Sequence, residues 1–99
     1  IAPDDIDVMF NTGTLFFNRA AEYKNKTNEL ALDQEKEYKE LMDNAVKEFK
    51  QAAKYFERAH ELAPDDKQIT ETLKKIYMNI RTEEGIQEKL DKVNKLLQE

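Results

Sequence analysis

The tetrapeptide Ala2-Pro3-Asp4-Asp5 returns as Ala63-Pro64-Asp65-Asp66, 61 residues later. Proline cannot donate a hydrogen bond to a preceding helical turn, and it pushes the residue before it out of the α region. The aspartates that follow offer carboxylate oxygens to the free N–H groups of a new helix and favour its positive end. Each copy therefore stops one helix and starts another. Asp65 and Gln68 have the spacing of a capping box. Shifting the chain by 61 residues aligns Val8 with Ile69, Thr12 with Leu73, Leu15 with Ile76 and Phe16 with Tyr77, which keeps an apolar stripe in register.

Between these corners the helical period is continuous. Tyr38, Met42, Ala45, Phe49, Ala52, Phe56, Ala59 and Ala63 alternate spacings of four and three, which places them on one face of a long helix. The pattern predicts that helix over 34–62 with Asp33 as N-cap, roughly 43 Å long at 1.5 Å per residue. A first helix starts near Ile6, runs through Met9, Phe16, Ala20 and Tyr23, and ends between Lys26 and Leu32. Ile69, Leu73, Ile76 and Ile80 mark a third helix ending near Arg81 and Thr82. Ile86, Leu90, Val93 and Leu97 mark a fourth. Only two glycines and two prolines interrupt the chain, so a turn-rich sheet protein is not expected. The expected fold is all-α, a right-handed stack of two antiparallel helical hairpins with the first elongated. Each hairpin must cover the apolar face its neighbour leaves open.

The residues at these corners and stripes resemble the tetratricopeptide repeat, whose pattern runs W-x₂-L-G-x₂-Y, then A-x₃-F, then P. Met9, Thr12, Gly13 and Phe16 take the first four places, with Gly13 at the point where two helices approach closely. Ala52, Phe56, Ala59 and Pro64 take the second-helix places. In the second repeat Leu73 and Tyr77 fit, Lys74 replaces the small residue, and Ile86, Leu90 and Val93 stand for Ala, Phe and Ala. Two departures stand out. The family period is about 34 residues, leaving about 27 more within the first interval. Their helical composition implies two elongated helices projecting past the usual hairpin. The last repeat is degenerate and charged, as suits a terminal cap. The resemblance implies that residues 1–5 end a preceding repeat, 6–64 form an elongated hairpin, and 65–99 form a terminal hairpin at a natural C-terminus.

By the same resemblance the first helix of each repeat lines a concave groove. Asp7, Phe10, Asn11, Thr14, Phe17 and Asn18 would face it from the first repeat. Gln68, Glu71, Thr72, Lys75, Met78 and Asn79 would face it from the second. Such a groove holds an extended or helical peptide. Phe10 and Phe17 carry a second reading, packing against a preceding repeat. The subtype that clamps a C-terminal carboxylate is disfavoured, because Phe10 and Glu71 stand where basic residues are needed and only Asn11 fits.

Little else in the chain points to chemistry. Its 16 basic and 21 acidic residues are interspersed, with a net charge of −5 and no basic stripe to track a phosphate backbone. Nucleic acid is not an expected partner. No apolar run approaches the ~20 residues that cross a bilayer. Cysteine is absent, which removes disulfides and thiolate metal sites. His60, the one histidine, sits near a helix C-terminus where a partial positive charge is favoured. A single imidazole makes a poor metal site, and a structural or solvent-facing role is expected. Glu35, Glu37, Glu40, Asp43 and Glu48 lie beside Lys36, Lys39 and Lys47 as a solvated face, not as an acid–base pair in a dry cleft. The Asp-Asp pairs lack the EF-hand's ligand spacing. No cofactor and no catalysis are expected. The reading is a protein-interaction scaffold module of a larger repeat protein, leaning towards the bacterial periplasm or cell envelope over the cytoplasm. The alternative is a structural bundle or coiled-coil hairpin that self-associates.

Overall fold

Asp5 and Asp66 do the same work at two corners. Asp5 Oδ1 accepts from the backbone N–H groups of Asp7 (2.9 Å) and Val8 (3.2 Å). Asp66 Oδ1 accepts from Gln68 (2.9 Å) and Ile69 (3.3 Å). Each carboxylate thus satisfies two of the N–H groups left free at a helix start. The structure, a computed structural model, describes residues 5–98. Helix α1 spans Ile6–Lys26 and a 3₁₀ turn follows over Thr27–Glu29. Helix α2 spans Glu35–Leu62, α3 Lys67–Asn79 and α4 Ile86–Gln98. The described residues contain no strand. The part of the first corner that precedes Asp5, and the reading of residues 1–5 as the end of a repeat, lie outside them but for Asp5 itself.

Asp66, not Asp65, caps α3, because the Asp66 N–H bonds the Ala63 carbonyl at 3.1 Å and closes a turn over residues 63–66. That turn brings Asp66 to the capping position and leaves Asp65 outside the expected capping box. Ala63, before Pro64, has left the helical region at φ −139°, ψ 69°, as the proline ring requires. The expected cap at Asp33 is also corrected. Gln34 occupies the capping position of α2 and makes no side-chain cap. Its Oε1 instead accepts from the Ala31 N–H at 2.7 Å, tying down the loop before the helix. Helix α3 stops at Asn79, short of the expected Arg81 and Thr82. There the Ile80 N–H bonds the Tyr77 carbonyl and the chain turns. Gly85, at φ +80°, closes that turn in the left-handed region that favours glycine.

Helices α1 and α2 form an antiparallel pair, as their ring contacts establish. Phe10 meets Phe56 edge-on at 5.3 Å between centroids, and Phe17 meets Phe49 edge-on at 5.7 Å. Advancing along α1 therefore means retreating along α2. Between these contacts Gly13 lies directly on the Phe56 ring, where an added Cβ would stand 2.7 Å from Cε2. The short 63–66 turn then reverses the chain into α3. Tyr77 of α3 donates its phenol to Glu57 of α2, and Glu83, beyond α3, meets Lys50 at 2.7 Å. That order is again antiparallel, so α1 and α3 run the same way. Lys24 near the end of α1 donates to the Asn79 side chain at the end of α3, which joins the two helices directly.

One core runs through all four helices. It includes Met9 and Ala20 of α1, Phe49, Ala52, Phe56 and Ala59 of α2, Ile69, Leu73, Ile76 and Tyr77 of α3, and Leu90 and Val93 of α4. The predicted stripe of α2 is buried from Ala45 to Ala59, but Tyr38 is half exposed. Below Ala45 the helix outruns its cover, and the hairpin projects. The radius of gyration, 14.6 Å, exceeds the ~13 Å of a compact chain of about 100 residues. The longest extent, 45 Å, is close to the ~42 Å length of α2 alone at 1.5 Å per residue.

Candidate functional site

The groove positions read from the sequence fall on the first helix of each hairpin, α1 and α3. Asp7, Asn11 and Asn18 are exposed on α1, and Thr14, half-buried, completes their stripe. The Thr14 hydroxyl is not free, because it donates to the Phe10 carbonyl at 2.8 Å. On α3, the Thr72 hydroxyl donates to Gln68 O at 2.8 Å and the Asn79 amide to Lys75 O at 2.8 Å. Lys75 and Met78 are exposed. Helices α1 and α3 begin one residue after their capping aspartates, so Asp7, Asn11, Thr14 and Asn18 stand at the same register as Gln68, Thr72, Lys75 and Asn79. The Lys24–Asn79 contact holds the far ends of the two helices together.

Phe10, Phe17 and Met78 depart from the stripe, and Lys75 stands at its edge. Phe10 and Phe17 are half-buried against Phe56 and Phe49 of their own hairpin, so much of their apolar surface is already covered. Neither sequence reading of this pair, a bound peptide or a preceding repeat, included that nearer partner. The signal was present: Phe10, Phe17, Phe49 and Phe56 share a spacing of seven, two turns of a helix, so the pairs meet in an antiparallel hairpin. Lys75 and Met78 line a shallow hollow with Lys67, Glu71, Lys74 and Leu97, on the flank of α3 towards α4. That flank is charged where the matching flank of α1 carries Phe10, Gly13 and Phe17.

A second polar cluster escaped the sequence reading. The Glu57 carboxylate accepts from the Tyr77 phenol and from Lys89 Nζ, the latter at 3.0 Å, and so links α2, α3 and α4. Burial, the hydrogen bond and the charge of Glu57 together hold the phenol protonated well above the usual tyrosine range. His60 lies beside this cluster, half-buried in a hollow with Leu73, Val93 and Leu96, and its Nδ1 makes no hydrogen bond to a protein group. Contacts between residues 20 or more apart in the chain leave no short-range spacing to read. Among the described residues no three or more His, Asp or Glu converge as a metal site. No helix there is long and apolar enough to cross a membrane.

The chain was compared with family models, curated proteins and solved structures. None of them matches it.

Proposed function

We propose that the chain is a tetratricopeptide-like scaffold module that holds a peptide or protein on the shared side of α1 and α3. One observation carries the reading. The first helices of the two hairpins run in the same direction, touch through Lys24 and Asn79, and present polar stripes at matched register. Exposed Asp7, Asn11, Asn18 and Lys75 supply donors and acceptors of both signs, which suits a peptide backbone and its polar side chains. The close approach of Gly13 to Phe56 supports the resemblance behind the reading, since the family keeps a small residue at that place. Catalysis is not part of the proposal.

The test avoids Phe10 and Phe17, whose truncation would disturb the hairpin as well as the groove. Peptides selected from a displayed random library against the whole chain should lose binding to the variant Asn11→Ala, Asn18→Ala, Lys75→Ala. That variant should keep its thermal midpoint, since all three side chains are exposed. Equal binding to the variant and the parent, or no enrichment at all, would refute the groove.

One observation favours a second reading, self-association of the hairpin. Leu32 is fully exposed at the tip and Tyr38 is half exposed beside it. Under that reading, sedimentation would reveal a dimer that dissociates on Leu32→Asp with Tyr38→Lys.

A further inference from the structure

Two surfaces of the chain are bare in complementary ways. The most exposed large apolar side chains among the described residues are Leu32, at 101% relative exposure, and Met78, at 52%. Leu32 stands in the turn at the tip of the first hairpin. There the Gln34 N–H donates to the Ala31 carbonyl at 3.0 Å, and the Ala31 N–H donates to the Gln34 side chain at 2.7 Å. This double tie closes the turn with Leu32 and Asp33 at its apex, so the leucine is held out already ordered. Half-exposed Tyr38 borders a hollow beside it. Residues 29–40 carry five carboxylates against two lysines, and none of these groups takes an ion pair within the chain. Met78 borders a different hollow, on the flank of α3, with Lys67, Glu71, Lys74, Lys75 and Leu97. Three lysines stand there against one carboxylate, and none of the three is paired either.

We infer that these surfaces are the two halves of one contact between copies of this chain. The acidic tip of one copy, with Leu32 foremost, seats on the basic hollow around Met78 of a second. The inference rests on the self-association reading above and names the surface that receives the tip. Charge decides the pairing. Tip on tip, or hollow on hollow, would set like charges together, whereas the unlike pairing places opposite signs around an apolar centre. Each copy carries a net charge of −5, but at physiological salt charges further apart than ~8 Å are largely screened, so the local complement governs the docked contact. The joined surfaces differ, so the contact is heterologous and each copy has one of each half to offer.

The test exchanges charge between the surfaces of the whole chain. It leaves Lys75 and Met78, which also belong to the predicted groove, unchanged. In sedimentation equilibrium the parent should associate by about 1 mM. The tip variant Asp33→Lys with Glu37→Lys should associate about tenfold or more weakly, and so should the flank variant Lys67→Glu with Lys74→Glu. Mixed in equal amounts, the two should pair as tightly as the parent, because each reversed surface then meets its complement. That recovery also shows both variants to be folded, and adding Leu32→Asp to the tip variant should weaken it. Lys67→Glu alone should act in the same direction without harm to the fold, since a carboxylate is favoured in the first turn of a helix. A flank variant, or Lys67→Glu alone, that associates like the parent would overturn the inference while leaving self-association through the tip standing. Mixed variants that pair no better than either alone, each with the parent's circular dichroism, would overturn it too. A parent that stays monomeric at about 1 mM would sink both readings.

Discussion

Gly13 marks the closest approach of α1 to α2. A methyl group there would stand 2.7 Å and 2.9 Å from two ring carbons of Phe56, itself 1% exposed and bounded on another side by Phe10. Alanine is the better helix former by ~1 kcal/mol, but overpacking a full core costs ~1–3 kcal/mol. Since Phe56 has no free space, Gly13→Ala should destabilise the chain by about 1 kcal/mol net in urea unfolding. In Phe56→Leu, which removes the ring, the same substitution should turn neutral or stabilising. Tyr77 gives a pH signature. Its pKa is raised in the folded chain, so the folded state holds the proton more tightly than the unfolded state. The resulting stability is present at neutral pH and is lost as pH rises through about 10, the phenol's unfolded value. The stability difference between the parent and Tyr77→Phe, measured from pH 7 to 11, should therefore shift in the variant's favour only above about pH 10.

At the scale of elements, much of the fold was legible because its causes are local. Pro64 and the capping aspartates punctuate the chain. The stripe from Ala45 to Ala59 identifies the buried face of α2 by period alone. The details that differed depend on turn geometry. Asp66 rather than Asp65 caps α3 because residues 63–66 close a turn first, and Gln34 displaces Asp33 by bonding Ala31. The groove positions on α1 and α3 rest on the resemblance alone and remain part of the proposal. The Glu57, Tyr77 and Lys89 cluster was not legible, since it joins residues far apart in the chain. Asp5→Ala and Asp66→Ala should each cost about 1 kcal/mol, the usual value of a lost N-cap. Asp65→Ala and Asp33→Ala should cost little, because neither side chain caps a helix. Chemical denaturation of the four variants distinguishes the caps from their neighbours.

Across the whole molecule, the two hairpins unequally satisfy the need to bury their faces. The second is covered on one side by the first and charged on the other. The first retains Val8 and Leu15 uncovered at one flank and projects Leu32 and Tyr38 at its tip. On the scaffold reading proposed above, the matched sides of α1 and α3 are the ones that bind. It all depends on α1 lying against α2 and beside α3. A two-dimensional nuclear Overhauser spectrum of the intact chain tests that arrangement most directly. The account predicts strong cross-peaks from Gly13 Hα to the Phe56 ring, with Gly13 Hα displaced by the ring current, and weaker ones from the Lys24 methylenes to the Asn79 side-chain amide. An assigned spectrum in which Gly13 Hα shows no contact with Phe56 and Lys24 none with Asn79 would contradict it.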